Sequence, residues 1–153
     1  MSAASNFLED KLLDHTLRSP GAAYSAPSTV FVALFADSGS GVAAALESNT
    51  TGTDATSKWG FYEINNGSYA RQSITFAAAA NGSCASNSTV TFPQADADYD
   101  SAGSQGNTIT HIALLDASSS GNVLFYGALG TTKQVTNGDT FQINAGSLTI
   151  SLA

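Results

Sequence analysis

From residue 67 to its end the chain repeats one pattern: a short segment of alternating apolar and polar residues, then a cluster of turn formers, every ten residues or so. The segments are Tyr69–Phe76, Ser88–Phe92, Ile109–Leu115, Val123–Leu129, Thr140–Ile143 and Ser147–Leu152. Between them lie Asn81-Gly82, Ser118–Asn122, Asn137-Gly138-Asp139 and Asn144-Ala145-Gly146, and Asn65-Asn66-Gly67-Ser68 precedes the first. A period of two marks strands with one buried face, because successive side chains point to opposite sides of a sheet. Ile74 with Phe76, and Val90 with Phe92, are therefore expected inward. In the next strand Ile109, His111 and Ala113 are expected on the face opposite Ile112 and Leu114. Upstream, Thr29-Val30-Phe31-Val32-Ala33-Leu34-Phe35 is β-branched and aromatic, and apolar from Val30 on, as expected of a well-buried strand. Short strands at this spacing point to a mainly β fold, an antiparallel β-sandwich or small jelly-roll-like barrel. The length of 153 residues fits a single domain, 1–153, large enough to hold its own core.

One segment breaks the rhythm. Asn6-Phe7-Leu8-Glu9-Asp10-Lys11-Leu12-Leu13-Asp14-His15-Thr16-Leu17-Arg18 predicts a helix over about 6–18. Asn6 and Glu9 have the spacing of a capping box, and Pro20-Gly21 supply the stop. Leu8, Leu12 and His15 share a face that Leu13 and Leu17 widen. So short a helix needs packing to persist, and its stripe covers either the sheet of its own subunit or a neighbour's. Residues 37–66 read as a long irregular loop, with Val42–Leu46 as a helical turn and Ser48–Ser57 as a mobile Thr/Ser/Gly-rich stretch. Trp59, Phe61, Tyr62 and Ile64 form an apolar island there, suited to the core or to a subunit contact. Loops this long in small domains usually carry function or are disordered.

Composition narrows the partners. Charged residues make up 11% of the chain, against about 25% in ordinary domains. Hydroxyls and amides cost less to desolvate than charges when hydrogen bonds replace the water. Such a surface suits large protein contacts. The net charge is −7, and the five basic residues Lys11, Arg18, Lys58, Arg71 and Lys133 stand apart. No patch exists for nucleic acid or an anionic membrane. The first residues have no apolar signal-peptide core, and no run reaches a membrane-spanning length. Synthesis in a cytoplasm without export is the expectation.

The chemistry of sites is sparse. Cys84 is the single cysteine and has no neighbouring base. Asp96, Asp98 and Asp100 alternate as cation ligands do, but Ser101 and Asn107 stand where an EF-hand needs Gly and Glu. No zinc spacing, phosphate loop or nucleophile elbow occurs. The reading is of a non-enzymatic chain with no cofactor and no metal.

Several segments together carry a resemblance: the helix 6–15, Thr29–Phe35, Gly67-Ser68-Tyr69-Ala70-Arg71-Gln72, Val90-Thr91-Phe92-Pro93, Thr110-His111-Ile112-Ala113-Leu114-Leu115-Asp116, Gly138-Asp139-Thr140-Phe141 and Ala145-Gly146-Ser147-Leu148. In order and spacing they resemble small structural proteins of tailed-bacteriophage virions, often labelled tail fibre proteins. The resemblance implies a particle component made in the host bacterial cytoplasm. Lacking heptads or a triple-β-helix repeat, the chain is expected to act as a capsid cement or decoration protein. Its expected partners are the major capsid protein and copies of itself, in a trimer on the outer capsid surface, with neither nucleic acid nor membrane. The alternative is a tail fibre or tail-tip adhesin that binds a host receptor or glycan. The candidate contact residues are Phe7, Leu8, Leu12, Leu13 and Leu17 on the helix, with Trp59, Phe61 and Tyr62 on the island.

Overall fold

The computed structural model describes residues 3–18, 23–39, 41–48 and 58–152, with the side chains of Lys58 and Trp59 outside that description. The expected helix stop at Pro20-Gly21 and most of the Thr/Ser/Gly-rich stretch also fall outside it. In chain order the elements are β1 (Ala3–Ala4), α1 (Asn6–Leu17), β2 (Val30–Ala36), α2 (Val42–Ser48), α3 (Lys58–Tyr62), β3 (Gln72–Ile74), β4 (Ser83–Ala85), β5 (Val90–Thr91), β6 (Thr108–Leu115), β7 (Val123–Gln134), β8 (Gln142–Ile143) and β9 (Thr149–Ser151). The protein is mainly β with an N-terminal helix, and every strand pair is antiparallel. A five-stranded sheet runs β1-β7-β6-β2-β3, and two ribbons, β4-β9 and β5-β8, lie beside it.

The apolar run predicts the place of β2. It lies inside the sheet between β6 and β3, with Val32 facing Leu114 on one side and Gln72 on the other. Val32 through Ala36 are all fully buried, because both faces of β2 are covered. On one face Val32, Leu34, Ile74, Ile112 and Leu114 pack with the ribbon residues Val90, Ile143 and Ile150, giving a sandwich-like core. Tyr69 stacks on Phe92 at 5.9 Å and meets Tyr99 edge-on at 5.7 Å. On the other face Ala33, Phe35, Ala113, Leu115 and Val123 pack against Val42 and Leu46 of α2.

A bulge changes one expected face. Phe35 pairs with His111 and Ala36 with Ile109, so Thr110 is the extra residue. An inserted residue reverses the alternation beyond it. Ile109 therefore joins Ile112 and Leu114 in the ribbon-side core instead of opposing them. Other boundaries differ as well. The Tyr69–Phe76 segment is strand only over Gln72–Ile74, and β7 continues through Gly130-Thr131-Thr132 to Gln134. The 37–66 region holds two helices, α2 and α3, where a loop with one helical turn is expected.

Candidate subunit-contact surface

Ser5 fixes the start of α1. Its hydroxyl accepts from Leu8 N at 3.3 Å and donates to the Val123 carbonyl, while its N–H donates to Leu124 O at 2.9 Å. Ser5 is fully buried, so one small side chain caps the helix and ties it to β7. The cap is Ser5, not the expected Asn6, which is the first helical residue. Ser wins because its short side chain reaches both the third helical N–H and the β7 carbonyl. At the far end Arg18 leaves the last turn as the C-cap, and its 3.5 Å pair with Asp14 is largely exposed and worth little.

Beyond that anchor α1 barely touches the body. Leu8 is its one buried residue. Phe7 and Leu12 are half-buried, with Lys11 Nζ 5.8 Å from the Phe7 ring. Leu13 and Leu17 remain 56% and 78% exposed. The expected apolar stripe thus splits into an inner part that docks and an outer part that faces solvent.

The aromatic island splits too. Ile64 is buried in the ribbon-side core and Tyr62 packs on the helix-side core, with its hydroxyl end over Gly41. Phe61 meets Tyr62 edge-on at 5.1 Å, lies over Gly103 and stays 41% exposed. Between them and the helices opens a cleft of 610 Å³ lined by Asn6, Ala44, Glu47, Ser48, Phe61 and Tyr62. Of the eight candidate contact residues, the structure leaves Leu13, Leu17 and Phe61 open, half-buries Phe7, Leu12 and Tyr62, and buries Leu8. The Trp59 side chain lies outside the described residues.

Sequence reasoning missed the ion pair that secures this region. Arg71 clasps Glu63 with Nε–Oε1 at 2.6 Å and Nη2–Oε2 at 2.7 Å, and both side chains are nearly buried. Arg71 Nη1 also donates to the carbonyls of Ala117 at 2.9 Å and Ser120 at 2.7 Å. The Tyr69 hydroxyl donates to Glu63 at 3.2 Å and accepts from Leu34 N at 3.1 Å. Burial first, and then the Glu63 carboxylate, push the Tyr69 phenol well above its ordinary range, so it remains a donor. The network joins the segment after α3 to β2 and to the β6–β7 turn. The signal was an acid and a base eight residues apart, visible but not distinctive without the fold.

The three alternating aspartates organise turns. Asp96 accepts from Ser68 N at 2.7 Å, Asp98 from Asn137 N at 2.9 Å, and Asp100 from Ser101 N at 2.8 Å and Gly106 N at 2.9 Å. Their carboxylates serve three different turns and do not converge. Among the described residues no three His, Cys, Asp or Glu side chains gather as metal ligands would. His111 sits at the helix-side face of β6 with Nδ1 3.0 Å from the Thr110 hydroxyl. Burial, opposed by the Asp37 carboxylate, holds its pKa below the ordinary imidazole value. Among the described residues no helix is long and apolar enough to cross a membrane.

The family model described as podophage GP4 fiber I protein gp80 matches residues 3–151 of the chain. The chain belongs to this family. As a member of the gp80 fibre family it is a structural protein of the phage virion. No curated protein matches the chain significantly. The matched residues include α1, both core faces and the ribbons.

Proposed function

We propose that the protein is a subunit of a phage tail fibre, and that it acts non-catalytically by packing against neighbouring virion subunits. The observation that carries this reading is the fibre family model matched across residues 3–151. The exposed leucines of α1 support it, because an apolar stripe left in water next to its own core gains by burial against a partner. The charge-poor composition keeps the desolvation cost of such contacts low. On a fibre, the cleft beside Phe61 and Glu47 is the candidate contact for a host receptor or glycan.

A capsid cement protein is the second reading. It is favoured by the absence from the sequence of any heptad or fibrous repeat, since a small β unit suits clamping of shell subunits better than extension. Its partners would be the major capsid protein and further copies of the chain in a trimer on the outer shell. Cryo-electron microscopy of intact particles separates the two. Density at the tail supports the fibre reading, and density only over the capsid lattice supports the cement reading and overturns the first.

A further inference from the structure

Three Asn-Gly pairs stand in turns of this chain: Asn66-Gly67, Asn81-Gly82 and Asn137-Gly138. The first two share the tripeptide Asn-Gly-Ser, so sequence alone gives them the same local chemistry. Such a pair is intrinsically reactive. The glycine nitrogen has no side chain to shield it, and it can close a five-membered ring on the asparagine amide carbon. The fold treats the three pairs differently.

Asn66 is locked by its side chain. Its Nδ2 donates to Asp98 O at 2.6 Å, and its Oδ1 accepts from Asp100 N at 2.7 Å. Gly67 is crowded as well, since a Cβ there would lie 2.5 Å from Asp96 Oδ1. That carboxylate opposes negative charge on the Gly67 nitrogen. Asn137 is locked by its backbone. Its N–H donates to Asp98 Oδ1 at 2.9 Å, and the Gly138 N–H donates to Ala95 O at 2.7 Å. The nitrogen that would react is therefore occupied.

Asn81-Gly82 has neither lock. Ala80 and Ser83 exchange both backbone bonds, at 2.8 and 3.0 Å, and close a two-residue hairpin. Asn81 has a φ of 52° and Gly82 of 74°, the positive pair of a type I′ turn. Both residues are exposed. The Gly82 N–H donates to no described residue, and no described residue holds the Asn81 side chain.

We propose that Asn81 is a site of spontaneous deamidation, selected by the fold from the three Asn-Gly pairs. The Gly82 N–H gives its proton to hydroxide, and the nitrogen bonds to Asn81 Cγ. The Cγ–Nδ2 bond breaks, and Nδ2 takes a proton from water and leaves as ammonia. Water then opens the cyclic imide at either carbonyl, which yields aspartate or isoaspartate. Both products add a negative charge. Isoaspartate also routes the main chain through the β-carbon, and the added atom spoils the two-residue fit between Ala80 and Ser83. Gly82 O accepts from Leu152 N at 2.9 Å, so the change releases a tie that holds the end of β9. The inference goes beyond the fibre reading and stands independently of it, because it concerns only the subunit's own turn.

The test holds the full chain folded at mildly alkaline pH and reads its digest by peptide mass spectrometry, beside a sample kept unfolded in guanidinium. In the folded chain Asn81 is expected to convert at least about tenfold faster than Asn66 or Asn137, whose hydrogen bonds must first break. In the unfolded sample the rates are expected to converge, those of Asn66 and Asn81 above all. An Asn81 that converts no faster than Asn66 in the folded chain overturns the proposal. So does a spread among the sites that unfolding leaves unchanged, since sequence and not fold would then select the site. Converted protein is expected to exchange the Leu152 amide hydrogen faster than fresh protein, and equal exchange overturns the release of β9.

Discussion

The two longer helices lie on the same side of the sheet and are held in different ways. α2 is seven residues long, has no strong sequence signature, and buries Val42, Ala45 and Leu46, with Val42 and Leu46 packed against Phe35, Leu115 and Val123. α1 is twelve residues long, has the clearer cap and stripe, and buries only Leu8. The helix most legible in the sequence is therefore the one the core uses least. Helices as short as these gain most of their stability from packing. α2 has that packing within the subunit, whereas α1 hangs from Ser5 and Leu8 with Leu13 and Leu17 directed at solvent. We infer that α1 completes its packing only against a partner.

Substitutions can break this comparison, beginning with the largest effect. Arg71→Ala leaves the nearly buried Glu63 carboxylate without its partner at the edge of the helical layer. Breaking such pairs typically costs about 3–5 kcal/mol, and denaturant unfolding should show a loss of that order. Leu46→Ala removes a fully buried side chain beneath α2. A loss of about 2–5 kcal/mol is expected; a loss below 1 kcal/mol would mean that α2 is as loosely held as α1. Ser5→Ala should cost about 1 kcal/mol from the cap alone, and circular dichroism should show reduced helix content with the β signal kept. Leu17→Ser should change subunit stability by no more than about 0.5 kcal/mol and yet reduce incorporation into particles. If Leu17→Ser destabilises the isolated subunit as much as Leu46→Ala, α1 belongs to the core and the contrast fails.

The smallest effect concerns pH. His111 has a lowered pKa in the folded chain, so below the unfolded value of about 6.5 the unfolded state takes up a proton that the native state resists. Its contribution to stability is complete above that value and is lost as pH falls below it. Thermal midpoints measured from pH 7.5 downward should decline, and His111→Gln should flatten the part of the decline nearest pH 6. An unchanged slope in the variant would show that other groups set it.

How much of this was readable in the sequence depended on range. The apolar run of β2 and the Asn-Gly and Asn-Gly-Asp turns were readable because each is decided within a few residues. The bulge at Thr110 was not, because it appears only when β6 is laid against β2. Gly130-Thr131-Thr132 read as the end of a strand, yet β7 continues through them. Asn6 outranked Ser5 as a cap because Glu9 completes a box locally, while the Val123 and Leu124 carbonyls that select Ser5 lie far along the chain. Asp96, Asp98 and Asp100 resembled a cation loop by spacing alone; their acceptors were already engaged by Ser68, Asn137, Ser101 and Gly106. On α1 the apolar stripe was visible in the sequence, but not which of its leucines dock and which stay outside.

The central claim is that this is a fibre subunit whose exposed α1 face is covered only in the assembled particle. Cryo-electron microscopy of virions at a resolution that places side chains tests it most directly. The account predicts the subunit at the tail, with Leu13 and Leu17 buried against another polypeptide. Density confined to the capsid shell, or an α1 face still open to solvent in the intact particle, would contradict it.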